Sequence, residues 1–242
     1  MIANPNKFQA IIINRNPKKD PINKHILKLN KHTITSQNCV TLLGMDIDDQ
    51  LTFTKHIKTK MRNAAGQLNY LNTKEKFLNP EAKKVLIESF IMSNFNYCPL
   101  VWMFCNSKLK RIQENIQKRA LRFLLNDYES NYEQLLEKSN KSTIEIRKLQ
   151  TLATEIFKTI NNLNAPYMKE IFELNTIRNP ERKMLMVKVI ESKKYGTDSL
   201  RHMGPKIWNC LSPELKNSKN LTIFKGLIKS WSGPSCNCNA CQ

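Results

Sequence analysis

The sequence predicts an α+β fold in which a small antiparallel sheet at the N-terminus precedes a mainly helical body. Short β-branched runs fill the first fifty residues, whereas from Phe53 onward apolar residues recur every three or four positions. The chain has 242 residues, of which 40% are hydrophobic and only 6 are Gly. A chain of this length and composition can bury a sizeable core, in one domain or in two small ones.

The N-terminal segment contains four strand-like runs. Residues 8–13 are short, apolar and bounded by Asn and Pro, as in a buried strand. Residues 26–29, 32–34 and 39–43 follow at hairpin spacing. We expect three or four antiparallel strands. Because so small a sheet is not stable by itself, it should pack on the helices.

Four helices are predicted in the middle of the chain. The first follows Phe53, and the second opens at Asn79-Pro80-Glu81, which supplies a cap, a Pro at the first helical position and an acid on the helix dipole. The third covers about residues 107–125. The fourth opens with Ser142-Thr143-Ile144-Glu145, the pattern of a capping box.

Beyond Pro166 the pattern predicts shorter elements. A polar stretch covers residues 175–183, a strand is expected at 184–190, and helices are expected near 205–211 and 221–230. The boundary between the helical middle and the C-terminal region should lie near residues 164–180. We divide the chain into residues 1–52, 53–164 and 165–242.

The chain is strongly basic along its whole length. Thirty-nine Lys and Arg face twenty Asp and Glu, a net charge of +19, and the excess is 7 in residues 1–62, 5 in 63–150 and 7 in 151–242. A positive field over a whole folded body suits a polyanion, since phosphates release counterions to Lys and Arg. Nucleic acid is the favoured partner, an acidic membrane surface is a weaker option, and lysines that serve only solubility are the plain alternative.

We expect neither a transmembrane segment nor a secretory signal peptide. No run of eighteen apolar residues could span a membrane, and the first residues lack a signal-peptide core. Of 7 cysteines, Cys39, Cys98, Cys105 and Cys210 are scattered among apolar neighbours. We expect reduced thiols in an intracellular protein of the cytoplasm or nucleus.

Three cations of the third helix form a candidate binding stripe. Arg111, Lys118 and Arg122 lie at i, i+7 and i+11, so the last two are each within about 20° of Arg111, on a face roughly opposite the apolar one. Exposed helix faces are often charged, but no acid interrupts this stripe. Such side chains would grip a backbone without reading base sequence.

Asp46, Asp48 and Asp49 form the one cluster of carboxylates. Two-metal phosphoryl transfer needs carboxylates held close together on a tight hairpin and a further acid elsewhere. This cluster instead ends a strand and leads into a helix, where acids serve capping and the dipole. We assign no catalytic residue. The glycines and histidines form no phosphate-binding or metalloprotease motif.

The C-terminal tail carries Cys236, Cys238 and Cys241. Three thiolates at this spacing could bind zinc, although a structural site normally has four ligands. His202, Cys210 or another chain would have to supply the fourth. An exposed tail without metal is the equal alternative.

Several segments resemble the region that follows the catalytic motif in jockey-like non-LTR retrotransposon reverse transcriptases. Residues 42–57 resemble the primer-grip block, a Leu-Gly strand followed by Asp-x-x-Leu-x-Phe-x-x-His-Ile, and residues 89–102 resemble the thumb. Other segments match in the same order along the chain: residues 4–11, 116–122, 195–199, 204–209 and 224–231.

The resemblance implies a palm end with a primer grip in residues 1–52, a thumb in 53–164 and the family's C-terminal region in 165–242. It implies an RNA-directed DNA polymerase that uses Mg in its complete form. The catalytic Asp-Asp motif would lie upstream of Met1, so this chain alone is expected to be inactive. Gly44 and the Arg111/Lys118/Arg122 stripe are the expected contacts to RNA or an RNA–DNA hybrid. The alternative is a stand-alone basic nucleic-acid-binding or zinc-dependent interaction protein.

Overall fold

The computed structural model describes residues 7–13, 26–29, 32–172, 184–187 and 196–234. Its strands are β1 (Ala10–Ile11), β2 (Ile26–Leu29), β3 (His32–Gln37), β4 (Cys39–Leu42) and β5 (Met45–Asp48). Its α-helices are α1 (Thr54–Thr73), α2 (Pro80–Leu86), α3 (Ser93–Asn96), α4 (Ser107–Leu125), α5 (Tyr132–Ser139), α6 (Ile144–Ile160), α7 (Leu200–Asn209), α8 (Pro213–Lys216) and α9 (Leu221–Ile228). The α+β class is confirmed.

The strands form two small sheets. In the first, β3 lies between β2, with which it pairs antiparallel, and β1, with which it pairs parallel. The expectation of antiparallel pairing throughout was wrong for β1. Strand β2 occupies one edge of β3, so β1 pairs at the other edge, and strand spacing along the sequence does not fix the direction of that pairing.

The second sheet is the hairpin of β4 and β5, in which Leu42 pairs with Met45. Strand β5 was not predicted, because its alternating Met-Asp-Ile-Asp pattern was interpreted as a carboxylate cluster. The hairpin packs on α1, where the backbone N–H of Asp46 donates to Nδ1 of His56 at 3.3 Å. This second sheet therefore rests on the helices, as expected, while the first sheet contacts it through β1 and β4.

Helix α1 is the centre of the first core. The predicted period is confirmed, since α1 buries Ile57, Met61, Ala64, Leu68 and Leu71. Helix α2 begins as predicted: the Asn79 side chain accepts from the N–H of Ala82 at 2.8 Å, with Pro80 at the first position. It continues as a π-helix over Ile87–Met92 and then as α3.

Helices α5 and α6 both pack on α4. The α4 range is confirmed, whereas α5, which has a capping box from Asn131 and Gln134, was not predicted. The predicted box at Ser142 was wrong by one residue, because Thr143 is the N-cap of α6. The side chain of Glu145 pairs with Lys110 on α4 at 2.8 Å instead of closing a box.

A second core joins α6 to the C-terminal helices. Phe157 of α6 stacks on Phe224 of α9, with ring centroids 4.4 Å apart, and Trp208 of α7 lies beside them. The predicted strand at 184–190 is described only over 184–187, where Leu185 makes an isolated bridge and exchanges two hydrogen bonds with the amide of Asn209. The polar stretch at 175–183 lies outside the described residues.

The helices are amphipathic rather than apolar throughout. Among the described residues, no helix is both long enough and apolar enough to cross a membrane.

Candidate nucleic-acid interface

Helix α4 carries the predicted stripe of Arg111, Lys118 and Arg122. Its first turn is fixed by Asn106, whose side chain accepts from the backbone N–H of Leu109 at 2.9 Å. The opposite face of the helix is buried in the first core. The stripe is therefore held on a rigid helix rather than on a loop.

The three stripe residues differ in exposure. Arg111 is exposed, whereas Lys118 and Arg122 are half-buried. The Nε atom of Arg122 is buried and has no hydrogen-bond partner among the described residues. Within the same ranges, none of the three belongs to an ion pair. Their positive charge is not neutralised by neighbouring acids.

Helix α1 adds cations that sequence inspection did not single out. Lys55, Lys58 and Arg62 are exposed and follow an i, i+3, i+7 spacing, which places them on one side of the helix. Helix α1 contains no Asp or Glu. That signal was available in the sequence, but only the packing of α1 shows which neighbour these cations join.

Helices α1 and α4 lie side by side and run in the same direction. Thr54 and Leu109, in their first turns, line one cleft. Further along, Nη2 of Arg119 donates to Oδ1 of Asn69 at 2.7 Å. Arg62 lies about two turns before Asn69 on the same side of α1. The cations of the two helices thus share one surface.

We name this surface the α1/α4 basic face. It comprises Lys55, Lys58, Arg62, Arg111, Lys118, Arg119 and Arg122. One end of it meets a shallow groove that Asp48 and Asp49 also line.

Ion pairs occur elsewhere in the described part of the chain. They join Lys83 to Glu75, Lys110 to Glu145, Lys138 to Asp127, Lys141 to Glu88 and Lys158 to Glu155. None includes a residue of the α1/α4 basic face. The cations of this face therefore have no acid within ion-pair distance among the described residues, although Asp48 and Asp49 lie at one end of the face.

Glu114, the one acid of α4, is occupied by structural contacts. Its carboxylate accepts from the backbone N–H groups of Ile144 and Glu145 at 3.2 and 3.0 Å, so it caps α6 from a neighbouring helix. It also accepts from the hydroxyl of Tyr132 at 2.5 Å. Burial, followed by Glu114, raises the pKa of Tyr132 above its usual range.

Buried lysines form a separate class of cation. Lys148 donates to Oε1 of Gln113 at 3.0 Å and lies 4.5 Å from the ring centroid of Trp102. Burial lowers the pKa of Lys148. Lys83 binds Glu75 and the side chain of Asn126. These ammonium groups hold helices together and cannot reach a ligand on the surface.

Gly44 lies at the tip of the β4–β5 hairpin. Leu43 and Gly44 both have positive φ, 49° and 77°, as a two-residue type I′ turn requires. A Cβ at Gly44 would meet no described atom within 4 Å. The hydroxyl of Tyr97 donates to the carbonyl of Leu43, and Lys60 lies 5.4 Å from the Tyr97 ring centroid. Tyr97 therefore holds the hairpin tip in place, while the space beside Gly44 is open.

The structure does not bring Gly44 to the stripe. Lys60, beside the hairpin tip, is about 160° around α1 from Lys58. The tip therefore lies on one flank of α1 and the α1/α4 basic face on the other. The two predicted contacts would have to touch different parts of one ligand.

The acidic cluster has structural contacts. The Asp48 carboxylate accepts from the backbone N–H groups of Thr52 and Phe53 at 2.9 and 2.6 Å, at the start of α1. Oδ1 of Asp46 accepts from the hydroxyl of Thr41 at 2.9 Å across the hairpin. These contacts support the interpretation of the cluster as strand-end and helix-start chemistry.

The predicted zinc ligands Cys236, Cys238 and Cys241 lie outside the described residues. Of the suggested fourth ligands, Cys210 donates through Sγ to the carbonyl of Lys206 at 3.0 Å, and His202 is half-buried. No group of three His, Cys, Asp or Glu suited to a metal occurs in the part of the chain that the structure describes. The zinc site stays a prediction.

The candidate interface is therefore the α1/α4 basic face, with the hairpin tip on the other side of α1. Comparison with family models, with curated proteins and with solved structures finds no match to this chain.

Proposed function

We propose that this protein binds the backbone of a nucleic-acid duplex through the α1/α4 basic face, in the role of a reverse-transcriptase thumb. One observation carries the proposal. Seven cations from two adjacent helices lie on one surface, and within the described ranges none is paired with an acid. Such a surface repels itself unless an anion covers it, and a phosphate backbone supplies evenly spaced anions.

The arrangement favours recognition of shape over sequence. Lys and Arg on a helical surface contact phosphates, which position a protein without reporting base identity. An RNA–DNA hybrid is the favoured duplex because residues 42–57 and 89–102 resemble a primer grip and a thumb. In this role Gly44 would allow a primer backbone to approach the hairpin tip closely, since the space beside it is open.

The proposal has two corollaries. Any polymerase activity, and the Mg that it needs, would belong to the complete polymerase and not to the residues of this chain. The protein would act inside the cell, where its ligand is found, and the unpaired thiols of Cys39, Cys98, Cys105 and Cys210 are consistent with a reducing compartment.

Charge reversal on the α1/α4 basic face is the direct test. The triple variant Lys58→Glu, Arg62→Glu and Arg111→Glu should lose binding to a short blunt RNA–DNA hybrid, measured by fluorescence anisotropy. The matched control is Lys169→Glu, Lys219→Glu and Lys225→Glu, three exposed lysines whose reversal changes the net charge equally. Equal losses in both triples would show that overall charge acts without a defined surface, and would overturn the proposal.

A further inference from the structure

The flank of α1 away from α4 carries a groove with aromatic walls. The groove has a volume of about 510 Å³ and lies between the second half of α1 and the segment from residue 78 to residue 90. Tyr70 of α1 and Phe90 of the π-helix line it, together with Leu71 and Leu86. It is a built concavity between two helical elements.

Large aromatic rings around this groove face solvent. The exposed fraction is 64% for Tyr70 and 49% for Phe90. Single exposed apolar residues are common, but two exposed aromatic side chains that line one concavity form a patch that points to a ligand.

The rim of the groove is positive. Lys74 lines the groove, and its side chain is exposed. Within the described ranges Lys74 forms no ion pair. The carboxylate of the next residue, Glu75, is held by Nζ of Lys83 at 2.8 Å. The charge of the rim therefore complements an anion.

The π-helix presents Phe90 in a fixed position. The side-chain amide of Asn94 donates to the carbonyl of Phe90 at 2.6 Å and to Oε1 of Gln67 on α1 at 3.1 Å, which ties the π-helix to α1. A π-helix of this length is rare and is often found at functional sites. A Cβ at Gly66 would meet no described atom within 4 Å, so the α1 side of the groove is open.

We propose that this groove binds single-stranded nucleic acid, with bases stacked on Tyr70 and Phe90 and a phosphate beside Lys74. A nucleotide presents a flat aromatic face and a negative charge together, which matches both features of the groove, and stacking on aromatic side chains accepts any base. An acidic amphipathic peptide would match the charge, but its aliphatic ridge would make no use of the exposed ring faces.

The inference rests on the proposed function and extends it. The α1/α4 basic face and the groove are the two flanks of one helix, which is about 10 Å across. A duplex on the first flank and an unpaired strand on the second could therefore belong to one ligand, as when a template strand continues beyond the paired region. The ligand class is a duplex with a single-stranded overhang.

The test compares a blunt RNA–DNA hybrid with the same hybrid carrying an unpaired overhang that contains 2-aminopurine. We expect the overhang to tighten binding about tenfold, a gain typical of stacking on an aromatic side chain, and to quench 2-aminopurine fluorescence. Tyr70→Ala and Phe90→Leu should abolish the gain and the quenching, whereas Tyr70→Phe should retain both. Affinity for the blunt hybrid should stay unchanged in all three variants.

Controls separate stacking from other causes. Tyr128→Ala and Tyr167→Ala remove exposed tyrosines, 57% and 67% exposed, that lie outside the groove, and both should keep the gain. Phe90→Leu keeps apolar bulk without a ring face. If it retained the gain, the groove would bind by general apolar contact, as for a peptide, and the inference would be overturned.

The two proposals fail separately. An overhang that adds no affinity overturns the groove while leaving duplex binding on the α1/α4 basic face intact. Binding of an isolated single strand that depends on Tyr70 and Phe90, without any binding of the blunt hybrid, supports the groove and overturns the thumb role.

Discussion

The two flanks of α1 differ in chemistry although they belong to one acid-free helix. On one flank α4 adds Arg111 and Arg119 to the cations of α1. On the other flank the π-helix adds Phe90, and the second half of α1 adds Tyr70. The neighbouring element therefore decides the chemistry of each side of α1, and we propose that the first flank binds phosphates and the second binds base faces. The two kinds of contact should respond to different perturbations.

Salt should give the largest effect and separate the flanks. Raising salt from about 50 to about 200 mM should weaken binding of the blunt hybrid by roughly 10³-fold or more, as for six to ten phosphate contacts. The extra affinity from the overhang should change much less, because the groove offers one lysine to a phosphate, Lys74, against seven cations on the α1/α4 basic face. Anisotropy titrations across this range measure both quantities. Equal salt dependence of the two contributions would remove the distinction.

Removal of the shared core should damage both flanks together. Leu68 of α1 is fully buried in the first core. Leu68→Ala should therefore lower the free energy of unfolding by about 2–5 kcal/mol, through the lost apolar contact and the cavity. Urea denaturation measures this loss. Leu163→Ala, at a 55% exposed leucine, should change it by less than about 0.5 kcal/mol. Binding that declined on one flank only would show that the flanks are structurally independent.

Low pH should lower the free energy of unfolding through His56, which lies on the hairpin side of α1. Burial, followed by the charge of Lys60, lowers the pKa of His56 below its ordinary 6.5, while Asp46 opposes the shift. Below pH 6.5 the unfolded chain takes up a proton that the folded imidazole does not, so the free energy of unfolding should fall as pH drops.

The acid effect can be assigned to His56 by one replacement. His56→Asn keeps an acceptor for the backbone N–H of Asp46 but does not titrate, so the decline below pH 6.5 should become shallower. Urea denaturation at a series of pH values gives the slope. An unchanged slope in the variant would assign the acid sensitivity to other groups.

Substitutions in the hairpin turn should give the smallest changes in stability, and Leu43→Asn and Gly44→Ala should change it in opposite directions. Leu43→Asn should stabilise the protein by roughly 0.5–1 kcal/mol, because Asn tolerates positive φ and Asn-Gly favours a type I′ turn. Gly44→Ala should cost about 1 kcal/mol at its φ of 77°, without a steric clash. Thermal unfolding measures both changes in stability. A loss of hybrid affinity in Gly44→Ala at a temperature where the variant is fully folded would support close approach of the primer at the tip.

Most helices were predictable because each has a strong local signal. The apolar period of α1, the Asn79-Pro80 start of α2 and the full range of α4 depend on residues close in sequence, and all three are confirmed. Helix α5 is only eight residues long and was missed, although it has its own cap. The start of α6 was displaced because Glu114, thirty residues earlier, supplies its N-terminal acceptor.

The candidate site was predictable only in part for the same reason. Arg111, Lys118 and Arg122 share one side of a single helix, so their spacing is sufficient to place them together. These residues form one surface with Lys58 and Arg62 only because α1 packs on α4. Periodicity within one helix carries no information about its neighbours.

The sequence by itself determined the fold class, the positive charge of the whole chain and the resemblance to a reverse-transcriptase thumb, since these depend on composition and local pattern. Tertiary structure decided which side chains share a surface. It placed Gly44 and the Arg111/Lys118/Arg122 stripe on opposite flanks of α1, and it brought Tyr70 and Phe90 to one groove. Burial and helix packing join residues distant in the chain, and those contacts are set by the three-dimensional core.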